Sequence, residues 1–203
     1  MTLSVREALR ARLAEASDRQ LVEELFAFVE ERGQSHYDED VTQVEHALQC
    51  AELARQRGLG DEAVTAALLH DVGHLLYDEH DAGDFPERDQ NHEEIGADLL
   101  ADYFPPTVTE PIRLHVAAKR YLCTTDPDYY AQMSAASQHS FHVQGGLLSP
   151  DEKREWERNP GLKRALELRR LDDLGKCPGK ATPKLDDFFE NVLRSLSRKR
   201  HQS

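Results

Sequence analysis

The chain has 203 residues and a formal net charge of −13, from 38 acidic and 25 basic side chains. A surface of this sign repels nucleic acid and anionic lipid, so we expect neither nucleic acid nor a membrane as a partner. The three cysteines lie far apart without a CxxC pair, which disfavours a disulfide framework and a thiolate zinc site. No segment resembles a signal peptide or reaches the roughly 18 apolar residues of a membrane helix. We therefore expect a soluble cytoplasmic protein.

Helical periodicity dominates the chain, and no run alternates with the period of two that marks a β-strand. A first helical region is predicted over 3–31, followed by a polar connection over 34–40. A helix over 41–57 ends at glycines, and a strongly apolar helix follows over 63–76. The acidic segment 78–91 shows no periodicity and is predicted to be a loop.

The C-terminal half continues the helical pattern. Helices over 92–103 and 108–122 are separated by a Pro-Pro stop, and short helices are predicted within 127–142. Pro150 opens a charged helix, and two further helices are predicted over 161–174 and 185–198 with a Pro/Gly linker between them. The sequence therefore predicts an all-α fold.

His70 and Asp71 are adjacent in the apolar segment AVTAALLHDVGHLL, which reads as a helix buried nearly all round. Burying two ionisable neighbours costs free energy unless a metal or another partner compensates it. Further candidate ligands lie beside apolar residues on other predicted helices: His46, His92, His115 and Asp172. Packed helices can direct all these groups into one core site.

The order H…HD…H…H…D resembles the HD-domain superfamily, and the two additional histidines resemble its two-metal branches. The resemblance implies a helical bundle with the metal site in its core. We interpret 1–203 as one HD domain, made of an N-terminal helical region (1–33), a catalytic core (34–176) and a C-terminal linker and helix (177–203).

Asp71 can bridge two cations, because a carboxylate has two oxygens and the cations repel each other without an anion between them. His46, His70 and Asp172 would complete the shell of one metal, and His92 and His115 would serve the other. Four imidazoles favour a transition metal over magnesium or calcium, which leaves iron, manganese or zinc. Such a site could hydrolyse a phosphoester or use dioxygen at a di-iron pair.

A closer resemblance favours the second chemistry. The segments VEHALQCAELA, LLHDVGHLL, NHEEIGADLL, LHVAAKRYL, Tyr129 to Gly146 and LRRLDDLGK are similar to those of the PhnZ- and TmpB-type di-iron oxygenases, relatives of myo-inositol oxygenase. The similarity runs from about Tyr37 to Lys176. It implies two iron ions in a mixed-valent Fe(II)/Fe(III) state, dioxygen as co-substrate, and cleavage of the carbon–phosphorus bond of a small zwitterionic organophosphonate.

The implied substrate is a 1-hydroxy-2-aminoethylphosphonate supplied by an upstream hydroxylase. With a primary amine the products would be phosphate and glycine, and with a trimethylammonium group phosphate and glycine betaine. The sequence leaves both open and leans slightly to the trimethylated substrate. In the loop 78–91, Asp81, Asp84 and Phe85 stand where the family has more glycine and aromatic residues.

Helix spacing places cationic side chains beside the predicted ligands. His74 follows His70 by four residues, Lys119 follows His115 by four, and Arg169 precedes Asp172 by three. A guanidinium suits a phosphonate through paired hydrogen bonds. The resemblance adds Ser137 as a phosphonate contact. Without the resemblance, ordinary structural roles remain open for these residues: a buried hydrogen-bonded histidine, a solvated lysine and a salt-bridged arginine.

The cationic end of the substrate needs carboxylates or an aromatic face, and the segment YDED supplies both. The resemblance assigns Tyr37 to a vacant iron position that it occupies until substrate arrives, and Glu39 to the amine, although Asp40 is a further candidate. The spacing from Tyr37 to His46 is one residue shorter than in the family. The residues predicted to be catalytic are Tyr37, Glu39, His74 and Lys119, and those predicted to bind substrate also include Asp40, Ser137 and Arg169.

Two other functions remain open from the residues alone. A two-metal phosphohydrolase acting on a nucleotide or phosphomonoester would use the same ligands. A non-catalytic nucleotide or metal sensor on an HD scaffold is the third possibility.

Overall fold

The computed structural model describes residues 3–38, 41–77 and 91–197, without the side chains of residues 36–38. Its helices in chain order are α1 (Val5–Glu15), α2 (Asp18–Arg32), α3 (Gln43–Gln56), α4 (Asp61–Leu69), α5 (His92–Leu100), α6 (Pro106–Thr125), α7 (Tyr129–Gln132), α8 (Ala135–Val143), α9 (Pro150–Arg158), α10 (Leu162–Leu174) and α11 (Phe189–Ser195). Two 3-10 helices cover Val72–Leu76 and Leu185–Phe188. The predicted all-α class is confirmed.

Two short strands, β1 (His36–Asp38) and β2 (Val41–Thr42), pair antiparallel just before α3. The prediction of a polar connection over 34–40 was therefore incomplete. It missed β1 because strands of two or three residues are too short to show alternation of polar and apolar residues. The pair leads directly into the capping box of α3, in which the Thr42 hydroxyl accepts a hydrogen bond from the Glu45 amide.

The first helical region is interrupted at Ser17. Its hydroxyl accepts from the amide of Gln20, whose side chain bonds back to the Ser17 amide, so that a second helix starts there. The predicted last helix is also divided, because residues 185–188 form a 3-10 turn before α11.

The prediction of one continuous helix over 63–76 is wrong. The helix α4 ends at Leu69, Asp71 has a non-helical backbone (φ −100°, ψ 10°), and a 3-10 helix follows. Asp and Gly are poor helix formers, and Gly73 lies against the backbone of the neighbouring α5. Because of this break, the directions of the His70 and Asp71 side chains are not set by the fixed rotation between successive residues of an α-helix.

One hydrophobic cluster extends from Leu9 in α1 to Val192 in α11. Within it α3 packs on α4, and α6 packs on α5 and α10, with α10 also reaching α3. The predicted ligands lie where these five helices meet. In the described ranges, no helix combines the length and apolar character required to cross a membrane.

Candidate metal centre

The structure brings all six predicted metal ligands together in the core. Each side chain is at least nine-tenths buried, and each comes from a different place in the fold. The contributing residues are His46 in α3, His70 at the end of α4, Asp71 before the 3-10 helix, His92 at the start of α5, His115 in α6 and Asp172 in α10.

The four imidazoles form two pairs. The Nε2 atoms of His46 and His70 are 3.2 Å apart, and those of His92 and His115 are also 3.2 Å apart. Asp71 lies between the pairs. Its Oδ2 is 3.3 Å from His70 Nε2 and 3.6 Å from His46 Nε2, whereas its Oδ1 is 3.4 Å from His92 Nε2 and 3.6 Å from His115 Nε2. Each carboxylate oxygen therefore faces one imidazole pair.

Asp172 completes the first cluster, because its Oδ1 lies 3.4 Å from His46 Nε2. The first cluster is thus His46, His70, Asp172 and one oxygen of Asp71. The second is His92, His115 and the other oxygen of Asp71. This is the division that the sequence predicted.

Contacts at Nδ1 set the orientation of the imidazoles. A backbone carbonyl accepts from Nδ1 of three of them: Gly175 for His46 (2.9 Å), Ala67 for His70 (2.9 Å) and Ile112 for His115 (2.7 Å). The Nδ1 of His92 lies 3.4 Å from Glu93 Oε2. Because a carbonyl can only accept, these contacts keep the proton on Nδ1 and direct Nε2 inward as a metal ligand.

The carboxylates provide a test of whether cations fit here. Both oxygens of Asp71 and Oδ1 of Asp172 are buried and make no hydrogen bond among the described residues, although the Lys176 ammonium lies 3.3 Å from Asp172 Oδ1. Buried carboxylate oxygens without donors are costly unless a cation neutralises them. With four imidazole nitrogens around them, the donor set fits two transition-metal ions.

The pKa values describe the same centre without metal. Burial lowers the pKa of His70, but the nearby negative charge of Asp71 raises it by a larger amount, so that the pKa is about 9. Burial raises the pKa of Asp71, and the charge of His70 outweighs this and holds it well below its usual range. Burial and His92 lower the pKa of His115 to about 3. A metal must therefore displace a proton from His70, as expected for metal binding to imidazole.

Cys50 lies beside this centre, and its thiol is a possible alternative ligand grouped with His46 and His70. Its Sγ is 3.8 Å from both ring nitrogens of His46 and donates to the Leu171 carbonyl at 3.5 Å. Burial raises the pKa of the thiol well above its usual range, so the thiolate that a metal requires does not form readily. We assign the ligand position to Asp172.

Replacing Cys50 by Ala tests this assignment. We expect the variant to keep the wild-type number of metal ions per chain and to lose about 1 kcal/mol of unfolding free energy, because only a small buried side chain is removed. Asp172→Ala should instead lose metal from the first cluster. Elemental analysis of both purified variants measures this, and loss of metal from Cys50→Ala alone would contradict it.

The predicted phosphonate contacts lie around the centre. The ring of His74 stacks on that of His92, with centroids 3.7 Å apart, although the argument that one helix carries His70 and His74 is wrong. Lys119 is buried four residues after His115 in α6, as predicted, and donates to Ser140 Oγ at 2.8 Å. Ser137 is buried in α8. The functions of these side chains stay predictions.

Arg169 is buried within a network of hydrogen bonds. It donates to Asp172 Oδ2 at 2.6 Å, to Tyr129 Oη at 3.0 Å and to Asp173. The Tyr129 hydroxyl also donates to Asp173. The arginine therefore orients the predicted ligand Asp172, and its contact with a phosphonate stays a prediction.

The predicted cation-binding residues fall largely outside what the structure describes. The backbone of Tyr37 lies in β1, but its side chain, together with Glu39 and Asp40, is outside the described residues. The loop residues Asp81, Asp84 and Phe85 are outside them as well.

Sequence reasoning missed three contributors. Lys176 donates to Ser137 Oγ at 2.9 Å and lies 3.3 Å from Asp172 Oδ1, and its spacing of four residues from Asp172 could have indicated it. Gly73 and Gly96 allow α5 to lie directly on the 3-10 helix, which places His92 next to Asp71. A single sequence does not indicate that two glycines far apart in the chain lie in contact with each other.

Comparison with known proteins places the chain in a family. The HD domain family model matches residues 44–172, more than half of the chain. A hydroxymethylphosphonate dioxygenase of Gimesia maris is 49% identical over 176 residues, covering 86% of this chain and 88% of that protein. A [1-hydroxy-2-(trimethylamino)ethyl]phosphonate dioxygenase (glycine-betaine-forming) of Leisingera caerulea is 40% identical over 179 residues, covering 88% and 91%.

A third relative is an uncharacterized protein, L432, of Acanthamoeba polyphaga mimivirus, 34% identical over 167 residues, which cover 81% of this chain and 76% of that protein. The predicted resemblance to phosphonate oxygenases is confirmed by the two dioxygenases. The chain belongs to the HD-domain family and, within it, to the group that contains these phosphonate dioxygenases.

Proposed function

We propose that this protein is a di-iron dioxygenase that cleaves the carbon–phosphorus bond of a 1-hydroxyphosphonate. The observation that carries the proposal is the position of Asp71, whose two oxygens each face one imidazole pair. This arrangement suits two cations bridged by one carboxylate. Iron bound by the six ligands, in the mixed-valent Fe(II)/Fe(III) state that the family resemblance implies, would supply dioxygen binding and redox chemistry.

The side chains around the centre suit a phosphonate. Lys119 and Ser137 can donate hydrogen bonds to phosphonate oxygens, and charge-assisted hydrogen bonds of this kind are strong. Arg169 contributes positive charge while its own hydrogen bonds hold Asp172. His74, stacked on His92, lies where it can contact a substrate bound beside the second cluster.

The reaction balances with dioxygen as the sole oxidant. The carbon that carries the hydroxyl and the phosphonate gains one oxygen atom of dioxygen and becomes a carboxylate. The carbon–phosphorus bond breaks, and the phosphorus gains the other oxygen atom and leaves as phosphate. Hydroxymethylphosphonate would yield formate and phosphate. The trimethylammonium substrate would yield glycine betaine and phosphate, and the primary amine glycine and phosphate. The required hydroxyl implies an upstream hydroxylase when the starting compound is an aminophosphonate.

Two substrates are supported by different observations. The acidic segment that includes Asp38, Glu39 and Asp40 shortly precedes α3 in the sequence, and carboxylates near His46 of α3 would attract an ammonium group. This favours a substrate with a cationic group, and the relative with 40% identity is named for the trimethylammonium compound. The relative with 49% identity is named for hydroxymethylphosphonate, which has no cation, so this is the second candidate.

We expect iron-loaded protein to release one phosphate per dioxygen consumed from at least one of these 1-hydroxyphosphonates. Phosphate release and oxygen uptake are measured with each of the three compounds, in air and under anaerobic conditions. The matched control is 2-(trimethylammonio)ethylphosphonate, which lacks the 1-hydroxyl and should not react. Equal phosphate release without dioxygen, or turnover of a phosphomonoester in place of the phosphonates, would instead identify a two-metal phosphohydrolase.

A further inference from the structure

A small pocket opens at the surface between α4, α6 and α10, lined by residues other than the predicted metal ligands and phosphonate contacts. Its volume of about 210 Å³ is below the range of pockets that hold drug-sized ligands. The buried residues that line it are all apolar: Ala66, Pro111, Leu168 and Leu171. Charged side chains lie at its edge: Glu62, Arg164 and Glu167. The pocket is therefore small, apolar inside and charged at its opening.

Each of the three helices carries a wall residue of this pocket one turn before a predicted metal ligand. The spacing is four residues in every case, for the pairs Ala66 and His70 in α4, Pro111 and His115 in α6, and Leu168 and Asp172 in α10. Residues four apart share one face of an α-helix and lie about 6 Å apart along its axis. The backbone of His70 is still helical (φ −61°, ψ −34°), so the spacing holds there too. The three helices therefore lead from the pocket to the metal centre.

Backbone hydrogen bonds join the pocket wall to two of the imidazoles. The carbonyl of Ala67, which directly follows a wall residue, accepts from His70 Nδ1 at 2.9 Å. The carbonyl of Ile112, which directly follows another, accepts from His115 Nδ1 at 2.7 Å. Only about one layer of residues thus separates the pocket from the imidazoles.

The pocket and the predicted phosphonate contact Lys119 lie in opposite directions from the ligand His115 along α6. Pro111 precedes His115 by four residues, and Lys119 follows it by four. A substrate bound at Lys119 fills the space on its own side of the centre. The pocket side then stays open to a second reactant.

The chemistry of the pocket suits dioxygen and disfavours a phosphonate. An anion against apolar walls loses its hydration without compensation, and two carboxylates against one guanidinium at the edge repel it. Dioxygen is small, uncharged and apolar, and its transfer from water into apolar surroundings is favourable. Apolar cavities of about 150 Å³ bind xenon, an atom of similar size and polarity to dioxygen.

We propose that the pocket between α4, α6 and α10 is the entry site through which dioxygen reaches the metal centre. This inference rests on the proposed function, because it requires a protein that consumes dioxygen. The pocket can also be tested separately from turnover, since xenon occupies apolar gas sites without reacting.

The test compares wild type with Ala63→Leu and Ala66→Val, which add carbon atoms at a half-buried and at a buried position of the lining. Ala101→Leu is the matched control, because Ala101 is a half-buried alanine with helical dihedrals outside the pocket. Crystals of metal-loaded protein are pressurised with xenon, which anomalous scattering locates. We expect xenon in the pocket of wild type and Ala101→Leu, and a loss of most of its occupancy in the two filled variants.

The kinetic readout is the dependence of phosphonate cleavage on dioxygen concentration. We expect the filled variants to have a kcat/KM for dioxygen lowered roughly tenfold. Their kcat at saturating dioxygen, their Michaelis constant for the phosphonate and their metal content should equal those of wild type. The rate at which dioxygen oxidises bound iron(II) without phosphonate is measured on the same samples and should fall in parallel.

Loss of xenon together with the lower kcat/KM for dioxygen supports the proposal. The absence of xenon from the wild-type pocket, or a wild-type kcat/KM for dioxygen in variants that no longer bind xenon, overturns it. Metal loss or an equally raised Michaelis constant for the phosphonate would show a distorted centre and also count against it. If Ala66→Val does not fold, Ala63→Leu decides. If wild type cleaves no phosphonate but loss of xenon still slows oxidation of iron(II), the proposed function fails while the entry site stands.

Discussion

Replacing Asp71 by Asn is expected to lower phosphonate cleavage by at least about a thousandfold, since a carboxylate that bridges two metal ions contributes several kcal/mol of charge stabilisation. The amide has nearly the shape of the carboxylate but no charge. In the wild type each oxygen of Asp71 faces a pair of Nε2 atoms. Without the anion, two cations on the imidazole pairs would repel each other across a short distance in a buried site. We therefore expect fewer than two metal ions per chain.

The measurements are metal content, activity after iron loading, and circular dichroism to show that the variant is folded. Asp128→Asn is the matched control, because it makes the same chemical change at an exposed position. Two metal ions per chain and wild-type turnover in Asp71→Asn would rule out the bridging role. Metal loss without any activity to lose in the wild type would favour the sensor function instead.

That the six candidate ligands lie together could be predicted from sequence because they are ionisable residues in apolar surroundings. His70-Asp71 interrupts an apolar run, and Asp172 follows apolar Leu171 at the end of a helix. Buried ionisable groups need compensation, so several of them in apolar surroundings point to one shared site. The resemblance to a known family then supplied the pairing. The helices α3, α5, α6 and α10 agree with the predicted ranges to within a few residues.

The conformation of the HD pair could not be predicted in this way. Apolar periodicity from 63 to 76 continues across the break, since a 3-10 helix buries nearly the same residues as an α-helix. The break depends on tertiary contact of Gly73 with α5. The role of Arg169 was only partly open to prediction: Asp172 and Asp173 follow it at helical spacing in α10, whereas Tyr129 comes from α7, whose packing the sequence does not specify.

Gly73 controls the distance between the HD pair and the second metal cluster. A Cβ atom at this position would lie 1.9 Å from the His92 carbonyl oxygen and 2.7 Å from its carbonyl carbon. Both are backbone atoms, so no side chain can rotate away to relieve the overlap. A Cβ atom at Gly96 would lie 3.0 Å from the Gly73 nitrogen, which is a milder conflict at the same contact.

Gly73→Ala should therefore push the first turn of α5 outward by roughly 1.5 Å, the distance needed to bring the 1.9 Å overlap to ordinary contact. His92 is the first residue of that helix and moves with it, away from Asp71 and His115. A ligand misplaced by this amount lowers activity by about a hundredfold. We also expect a loss of about 2–3 kcal/mol of unfolding free energy from overpacking. The metal bound by the second cluster should be lost first, leaving close to one ion per chain.

The series Gly73→Ala, Gly96→Ala and Gly60→Ala separates this mechanism from a general effect of adding a methyl group. At Gly60 nothing lies within 4 Å of the added Cβ atom and φ is −66°, so the cost should be no more than about 1 kcal/mol, with full metal content. Gly96→Ala should fall between the two. Metal content, iron-loaded activity and denaturant unfolding are measured for all three. A Gly73→Ala variant that is destabilised but keeps two metals and wild-type turnover would show that this contact supports the fold without positioning His92.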